Sequence, residues 1–362
     1  MASLDAMEGL DAPLAVDARS AAAKAAPPSG LVYGYTAATL VAAAAYSLHL
    51  LYKPASAAII AILLGALLRN LIPFSKALLD GCKGLVRRVI PITIVLTGAT
   101  LNLTDLAKGA PYLLVIAAAV VTGSLAAVYA GRFFGASAKT ALLVGAGTSI
   151  CGTSAIVAVA PVIDAGDNDL LLSVSTINIY GLVVMVILPV IGGLLGMSPE
   201  NFGVWAGTTV HAVPQAVTTG FAFGATAGAL ATLVKLVRVT LLAPFVLVLA
   251  LSAGKRKEGV NARFSNLLPS FIYGFAALAL LNTLGMLPVM TFHLLGGAGF
   301  SLDLAKVLAE LGSLLLTLSM AAMGLEVNLM FLLRAGGPAL GTGLAASAAQ
   351  CLVTWALIRL LG

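Results

Sequence analysis

Apolar residues come along this chain in blocks of about twenty, parted by short polar or charged connectors, the length at which one helix crosses a bilayer's hydrocarbon core. The pattern predicts eleven spans, at 31–51, 54–72, 89–104, 111–131, 140–163, 170–195, 202–223, 225–253, 267–288, 311–333 and 338–361. The third block is poor in apolar residues and can begin earlier, near Leu78. Residues 1–30 are Ala-rich, weakly acidic and closed by Pro27-Pro28. They lack the basic and apolar regions of a signal peptide, so a flexible tail is expected, followed by one transmembrane domain over 31–362.

Composition narrows the class. The chain has 362 residues, 60% hydrophobic and 9% charged, with a mean hydropathy of +1.06. That excludes an ordinary soluble domain. Abundant glycine (38 residues) and a 6% aromatic share suit closely packed helices better than a barrel of alternating strands. The expected fold is an all-α polytopic membrane protein of about eleven transmembrane helices. Cys82, Cys151 and Cys351 are far apart and suggest neither a disulfide framework nor a zinc site. No G-x-S-x-G, P-loop or clustered acid pattern points to an enzyme, and no cofactor or metal is expected.

Charge placement gives the orientation. With eleven spans, Arg19, Lys24, Arg69, Lys76, Lys83, Arg87, Arg88, Arg132, Lys139, Lys255, Arg256, Lys257, Arg263 and Arg334 fall on the N-terminal side. Only Lys53, Lys108, Lys306 and Arg359 fall opposite, where Asp164, Asp167 and Asp169 also lie. Positive residues mark the cytoplasm, so the N-terminus is expected inside and the C-terminus outside. The net charge of +6 thus reports topology, not nucleic-acid binding.

Two blocks contain material that interrupts helices. Gly145 to Ala155 reads G-A-G-T-S-I-C-G-T-S-A, rich in residues that cost a helix entropy or compete for its backbone bonds. A helix broken at mid-membrane is expected there, with Thr148, Ser149, Cys151, Gly152, Thr153 and Ser154 facing a protein-lined cavity. The alternative is a continuous helix whose small residues allow close packing. A second break is expected at Thr208 to Gln215, because Pro214 removes an amide and disfavours helix at Val213. Free amides at both breaks would present partial positive charge, with His211 and Gln215 beside them.

Lys235 and Arg238 lie three apart on one face of the eighth block. Uncompensated, the pair would burden insertion by roughly 5–7 kcal/mol, so a watery cavity or a negative partner must face them. Together with the breaks they describe a receptor for a small anion. His211 is a candidate proton carrier. Glu326, inside an apolar block, is a cation partner or protonation site, and Asn102 and Asn178 are weaker candidates for ligand contact or coupling.

The chain also echoes itself. Thr97 to Leu103 resembles Ala321 to Val327 in blocks that run oppositely, which suggests an inverted repeat. A second echo links Gly147-Thr148-Ser149 to Gly207-Thr208-Thr209, and Pro189 to Pro244, in blocks that run parallel; one simple inversion does not accommodate both.

G-T-S-I-C-G-T-S-A (Gly147 to Ala155), A-P-V-I (Ala160 to Ile163), V-K-L-V-R (Val234 to Arg238) and V-L-T-G-A-T-L-N-L (Val95 to Leu103) together resemble the YeiH-like family, bacterial inner-membrane proteins assigned to sulfate export. That family is grouped with the cation:proton antiporters and bile-acid symporters. The resemblance runs from about Leu31 to the C-terminus and implies crossed, broken helices with alternating access. The family pattern places an acidic residue after the His and Ala before the Gln; Ala212 and Pro214 stand here. The lost carboxylate weakens any carry-over of coupling and leaves the pocket more positive.

The reading that follows is a secondary transporter, not an enzyme, that exports a small sulfate- or sulfonate-like anion across the bacterial cytoplasmic membrane. Its rivals are a sodium- or proton-coupled carrier of another solute and a non-transporting scaffold or sensor. Expected partners are the anion and membrane lipid, with a homodimer as the assembly to consider and no nucleic acid.

Overall fold

The computed structural model describes residues 28–51, 56–101, 110–252, 270–293, 299–328 and 336–361. The first helices are α1 (Pro28–Leu51), α2 (Ala57–Leu71), α3 (Lys76–Thr97), α4 (Ala110–Phe134), α5 (Ala138–Ser149), α6 (Thr153–Val159) and α7 (Asp167–Leu194). Then come α8 (Pro199–Thr209), α9 (Val213–Phe223), α10 (Ala225–Thr240), α11 (Leu242–Ser252), α12 (Ser270–Thr283), α13 (Leu304–Glu326) and α14 (Gly337–Leu361). The architecture is helical apart from one short antiparallel hairpin, β1 (Val289–His293) with β2 (Gly299–Asp303), in which Val289 lies opposite Asp303. Asn102 and residues 1–27 of the expected tail lie outside the described residues.

Side-chain caps start several helices where polar sequence gives way to apolar. Ser75, Ser137 and Ser198 each accept from the amide three residues on, and Asp303 accepts from Ala305 and Lys306, the usual service to otherwise unpaired first-turn amides. The third block starts at Lys76. Six stretches are long and apolar enough to cross a membrane as single spans: Leu31–Leu51, Tyr112–Phe134, Asp167–Leu194, Ala225–Leu249, Leu304–Glu326 and Gly337–Leu361. Outward-facing Leu40, Leu114, Tyr129, Val190 and Leu352 are exposed, a surface suited to lipid rather than water.

The helices pack in two groups. α1, α2, α3, α12 and α13 form one; α4 to α10 with α14 form the other. In the first group α2 and α13 touch backbone to backbone, since a methyl on Gly324 would come 2.4 Å from the Ile62 carbonyl oxygen. Ile62, Leu85, Ile94 and Met320 fill its core.

The fifth and seventh blocks correct the expected span count. Neither is a broken helix that continues across; each is a helical hairpin whose two ends lie together. At the root of the α5–α6 hairpin, Lys139 Nζ donates to the Asp164 carbonyl at 2.6 Å and Thr140 Oγ1 donates to Asp169 at 2.7 Å. At the root of the α8–α9 hairpin, the rings of Phe202 and Phe223 stack with centroids 3.9 Å apart. The two roots sit at opposite ends of α7, the first against Asp169 and the second against Gly192. The hairpins therefore enter from opposite ends of the bundle. α7 and α10 also run in opposite directions: α9 follows α7 (Gln215 by Gly181, Phe223 by Gly192), whereas α10 retraces α9 from Ala227 beside Gly220 toward the tip.

Arm length explains why the blocks read as spans. The arms hold 12, 7, 11 and 11 residues, so each reaches at most about 18 Å, little more than half of the ~30 Å hydrocarbon layer. Two such arms in sequence have the length and apolarity of one traverse.

Candidate functional site

The tips of the two hairpins meet midway along α7. Ile150-Cys151-Gly152 turns the first, and Val210-His211-Ala212 turns the second. At Gly152 the backbone takes φ 75 and ψ −134, a conformation that side chains oppose. Its amide donates back to Gly147 at 2.9 Å. A methyl built on Gly152 would lie 3.5 Å from the His211 carbonyl oxygen and 3.7 Å from the Ala212 Cα, so the two turns are in contact. The second turn is organised by Gln215, whose Oε1 accepts from the Ala212 amide at 3.3 Å, with Pro214 in the first turn of α9, where a missing amide costs nothing.

One guanidinium fastens both hairpins. Arg238 Nε donates to the Ser149 carbonyl at 3.0 Å and Nη2 to Thr148 at 2.6 Å; Nη1 donates to Gly207 at 3.1 Å and to Thr208 at 2.5 Å. Lys235 Nζ donates to the Val210 carbonyl at 2.6 Å. Both side chains are 0% exposed. The carbonyls concerned are the unpaired C-terminal ends of α5 and α8, each worth about half a negative charge. The basic pair thus finds its negative partner in backbone dipoles. The echo between Gly147-Thr148-Ser149 and Gly207-Thr208-Thr209 marks the two helix ends that share Arg238.

The other expected residues fall as follows. Thr148 and Ser149 are fully buried, and Ser149 Oγ bonds the Gly145 carbonyl and lies 2.7 Å from Ser124 Oγ of α4. Cys151 is buried beside Lys235 and Arg238. Thr153 and Ser154 open α6 half-buried, and Thr153 Oγ1 donates to Oδ1 of Asn178, which is exposed on α7, at 3.3 Å. His211 is fully buried, with Nε2 2.9 Å from Ser347 Oγ. Glu326 does not join this assembly: it ends α13 among Asp80, Cys82, Lys83 and Arg87 of α3.

Residues of α14 complete the site and were not anticipated. Ser347, Gln350 and Thr354 share one helix face and meet the second hairpin. Gln350 Nε2 donates to the Thr208 carbonyl, and Thr354 Oγ1 lies 3.3 Å from Thr209 Oγ1. Their i, i+3, i+7 spacing was the available signal. Three of the six buried polar side-chain atoms left without a partner among the described residues belong to this site: Thr148 Oγ1, His211 Nδ1 and Gln350 Oε1. Among the described residues no group of three or more His, Cys, Asp or Glu is placed to hold a metal.

Residues 30–343 match the family described as Conserved hypothetical protein 698. A UPF0324 membrane protein of Brucella melitensis is 35% identical over 308 residues, 84% of this chain and 82% of its own. A UPF0324 membrane protein of Bacillus cereus is 32% identical over 307 residues, 84% of this chain and 86% of its own. The UPF0324 membrane protein TauZ of Paracoccus pantotrophus is 33% identical over 346 residues, 93% of this chain and 98% of its own. No solved structure matches the chain. The chain belongs to the Conserved hypothetical protein 698 family of UPF0324 membrane proteins, and it is a multi-pass protein of the bacterial inner membrane.

Proposed function

We propose that this family member is a secondary transporter that carries a small anion, of sulfate or sulfonate type, and that the meeting hairpin tips hold it. The observation that carries the reading is the charge balance of the crossing. With both side chains protonated, Lys235 and Arg238 bring two positive charges, and the C-terminal ends of α5 and α8 offset about one of them. The N-terminal ends of α6 and α9 return about one more. Neither cation has a carboxylate within ion-pair distance among the described residues. The site is net positive by about two charges, buried, and has no acidic side chain to balance it; a divalent or monovalent anion would.

Within this reading the donors divide by role. Arg238 contributes charge, its N–H groups being engaged by four carbonyls. Lys235 gives one of its three donors to Val210, which leaves two for a ligand. The first-turn amides of α9 supply neutral donors.

The two hairpin-plus-span units, α5 to α7 and α8 to α11, form an inverted repeat in this reading, because the units enter from opposite ends. Pro189 and Pro244 then occupy corresponding spans. Counting each hairpin as re-entrant leaves nine crossings, with the N-terminus still cytoplasmic and the C-terminus outside. Such pairs of opposed units suit alternating access around a fixed mid-membrane site. Export as the direction rests on the YeiH-like resemblance.

Equilibrium binding of sulfate and methanesulfonate to the purified protein tests the reading. Wild type is expected to bind at least one of them, and Lys235→Ala to weaken that binding at least tenfold. Equal affinity in the variant would move the anion away from the tips, and flux of neither anion in proteoliposomes would remove the transporter.

A further inference from the structure

The second tip holds a titratable group that binding of an anion alone does not require. His211 is 0% exposed, Nε2 is within 2.9 Å of Ser347 Oγ, and Nδ1 is buried without a partner. Such an atom normally finds a hydrogen bond. With Nε2–H donating to Ser347, the bare Nδ1 is a lone-pair acceptor.

The groups facing this ring carry one sign. Lys235 and Arg238 come from α10, and Cys151 comes from the first hairpin's tip beside them. From α14 come the neutral Ser347 and Gln350, with Cys351 near Thr209. No carboxylate is among them. A proton on Nδ1 would add positive charge to a buried cluster that already holds two basic side chains. At low dielectric that addition is strongly opposed, and an arriving anion removes the opposition.

We propose that His211 takes a proton from solvent onto Nδ1 when an anion occupies the hairpin tips and returns it when the anion leaves, so that anion and proton move together. This rests on the anion reading of the preceding subsection and adds the coupling ion to it. The linkage is reciprocal: if the anion favours the proton, the proton favours the anion to the same degree. The anion-bound state then holds more protons than the empty state, so affinity rises as pH falls, by up to about tenfold per unit for one coupled proton.

The test is addition of sulfate or methanesulfonate to the purified full chain in weakly buffered detergent solution at neutral pH, with an indicator dye reporting protons and calorimetry reporting binding. Net proton uptake with the anion, and tighter binding at lower pH, are expected in wild type. In His211→Gln, which keeps hydrogen-bonding capacity, affinity should fall to the weak value that wild type shows at high pH, with proton uptake and pH dependence both lost. Anion binding without proton uptake in wild type, or proton uptake that survives in the variant, overturns the coupling alone. No binding of either anion overturns the anion reading and the coupling with it.

Discussion

Gly152 lies against His211: the α-carbon of one tip is placed so that an added methyl would meet the other tip's carbonyl oxygen at 3.5 Å. That separation is ordinary contact, so the room for a side chain is adequate. The constraint is in the backbone, at φ 75 and ψ −134.

Gly152→Ala is therefore expected to destabilise by about 1–3 kcal/mol through backbone strain rather than collision. Thermal unfolding in detergent checks this. An unchanged melting temperature would show that the turn can adopt another conformation, and the tip geometry described above would then be wrong.

The hairpin roots give a topological prediction. In a background stripped of native cysteines, Ala138→Cys and Asp167→Cys should react with an impermeant thiol reagent from one side of the membrane. Glu200→Cys and Ala225→Cys should react from the other. Blocks 140–163 and 202–223 as full traverses would instead put the two members of each pair on opposite sides.

Arg238 answers four carbonyls, and no other side chain offers five donors in a flat fork. Arg238→Ala leaves those carbonyls and the Lys235 charge in a dry interior, with an expected loss of at least about 3 kcal/mol. Arg238→Lys keeps the charge without the fork and should recover less than half of it. Melting curves by fluorescence-detected size exclusion decide; full recovery by lysine would mean that charge alone holds the crossing.

Asp169 latches the first hairpin's root, accepting from the Ser137 and Thr140 hydroxyls and from the Gly166 amide. Hydrogen bonds to a charged acceptor contribute about 1.5–3 kcal/mol each when unshared with water. The half-exposed position lowers that, so Asp169→Ala is expected to cost about 1–2 kcal/mol. Faster protease cleavage between residues 160 and 166 should accompany the change, and an identical digestion time course would argue against a latch.

Much of this was legible in the chain. Gly147 to Ser154 announced a break by composition, Pro214 announced another by its missing amide, and Lys235 with Arg238 announced a buried counter-charge by their cost. The reversal at each break was not legible. The connectors at 164–169 and 195–201 contain no Lys or Arg, so the positive residues partition identically whether the two blocks cross or turn back. One misread block would have scrambled that partition; two on either side of α7 cancel. The partners of Arg238 were hidden for another reason, because backbone carbonyls carry no residue signature. Glu326 stood out as a carboxylate in apolar sequence, yet it closes a helix beside Lys83 and Arg87.

The position of Arg238 in the chain has a consequence for biogenesis. Both hairpins precede residue 238 in the chain, so each is synthesised while its terminal carbonyls still lack the guanidinium that answers them. The crossing can close only when α10 arrives, and α14 follows later with Ser347, Gln350 and Thr354, so truncations upstream of α10 leave an exposed, chaperone-dependent centre.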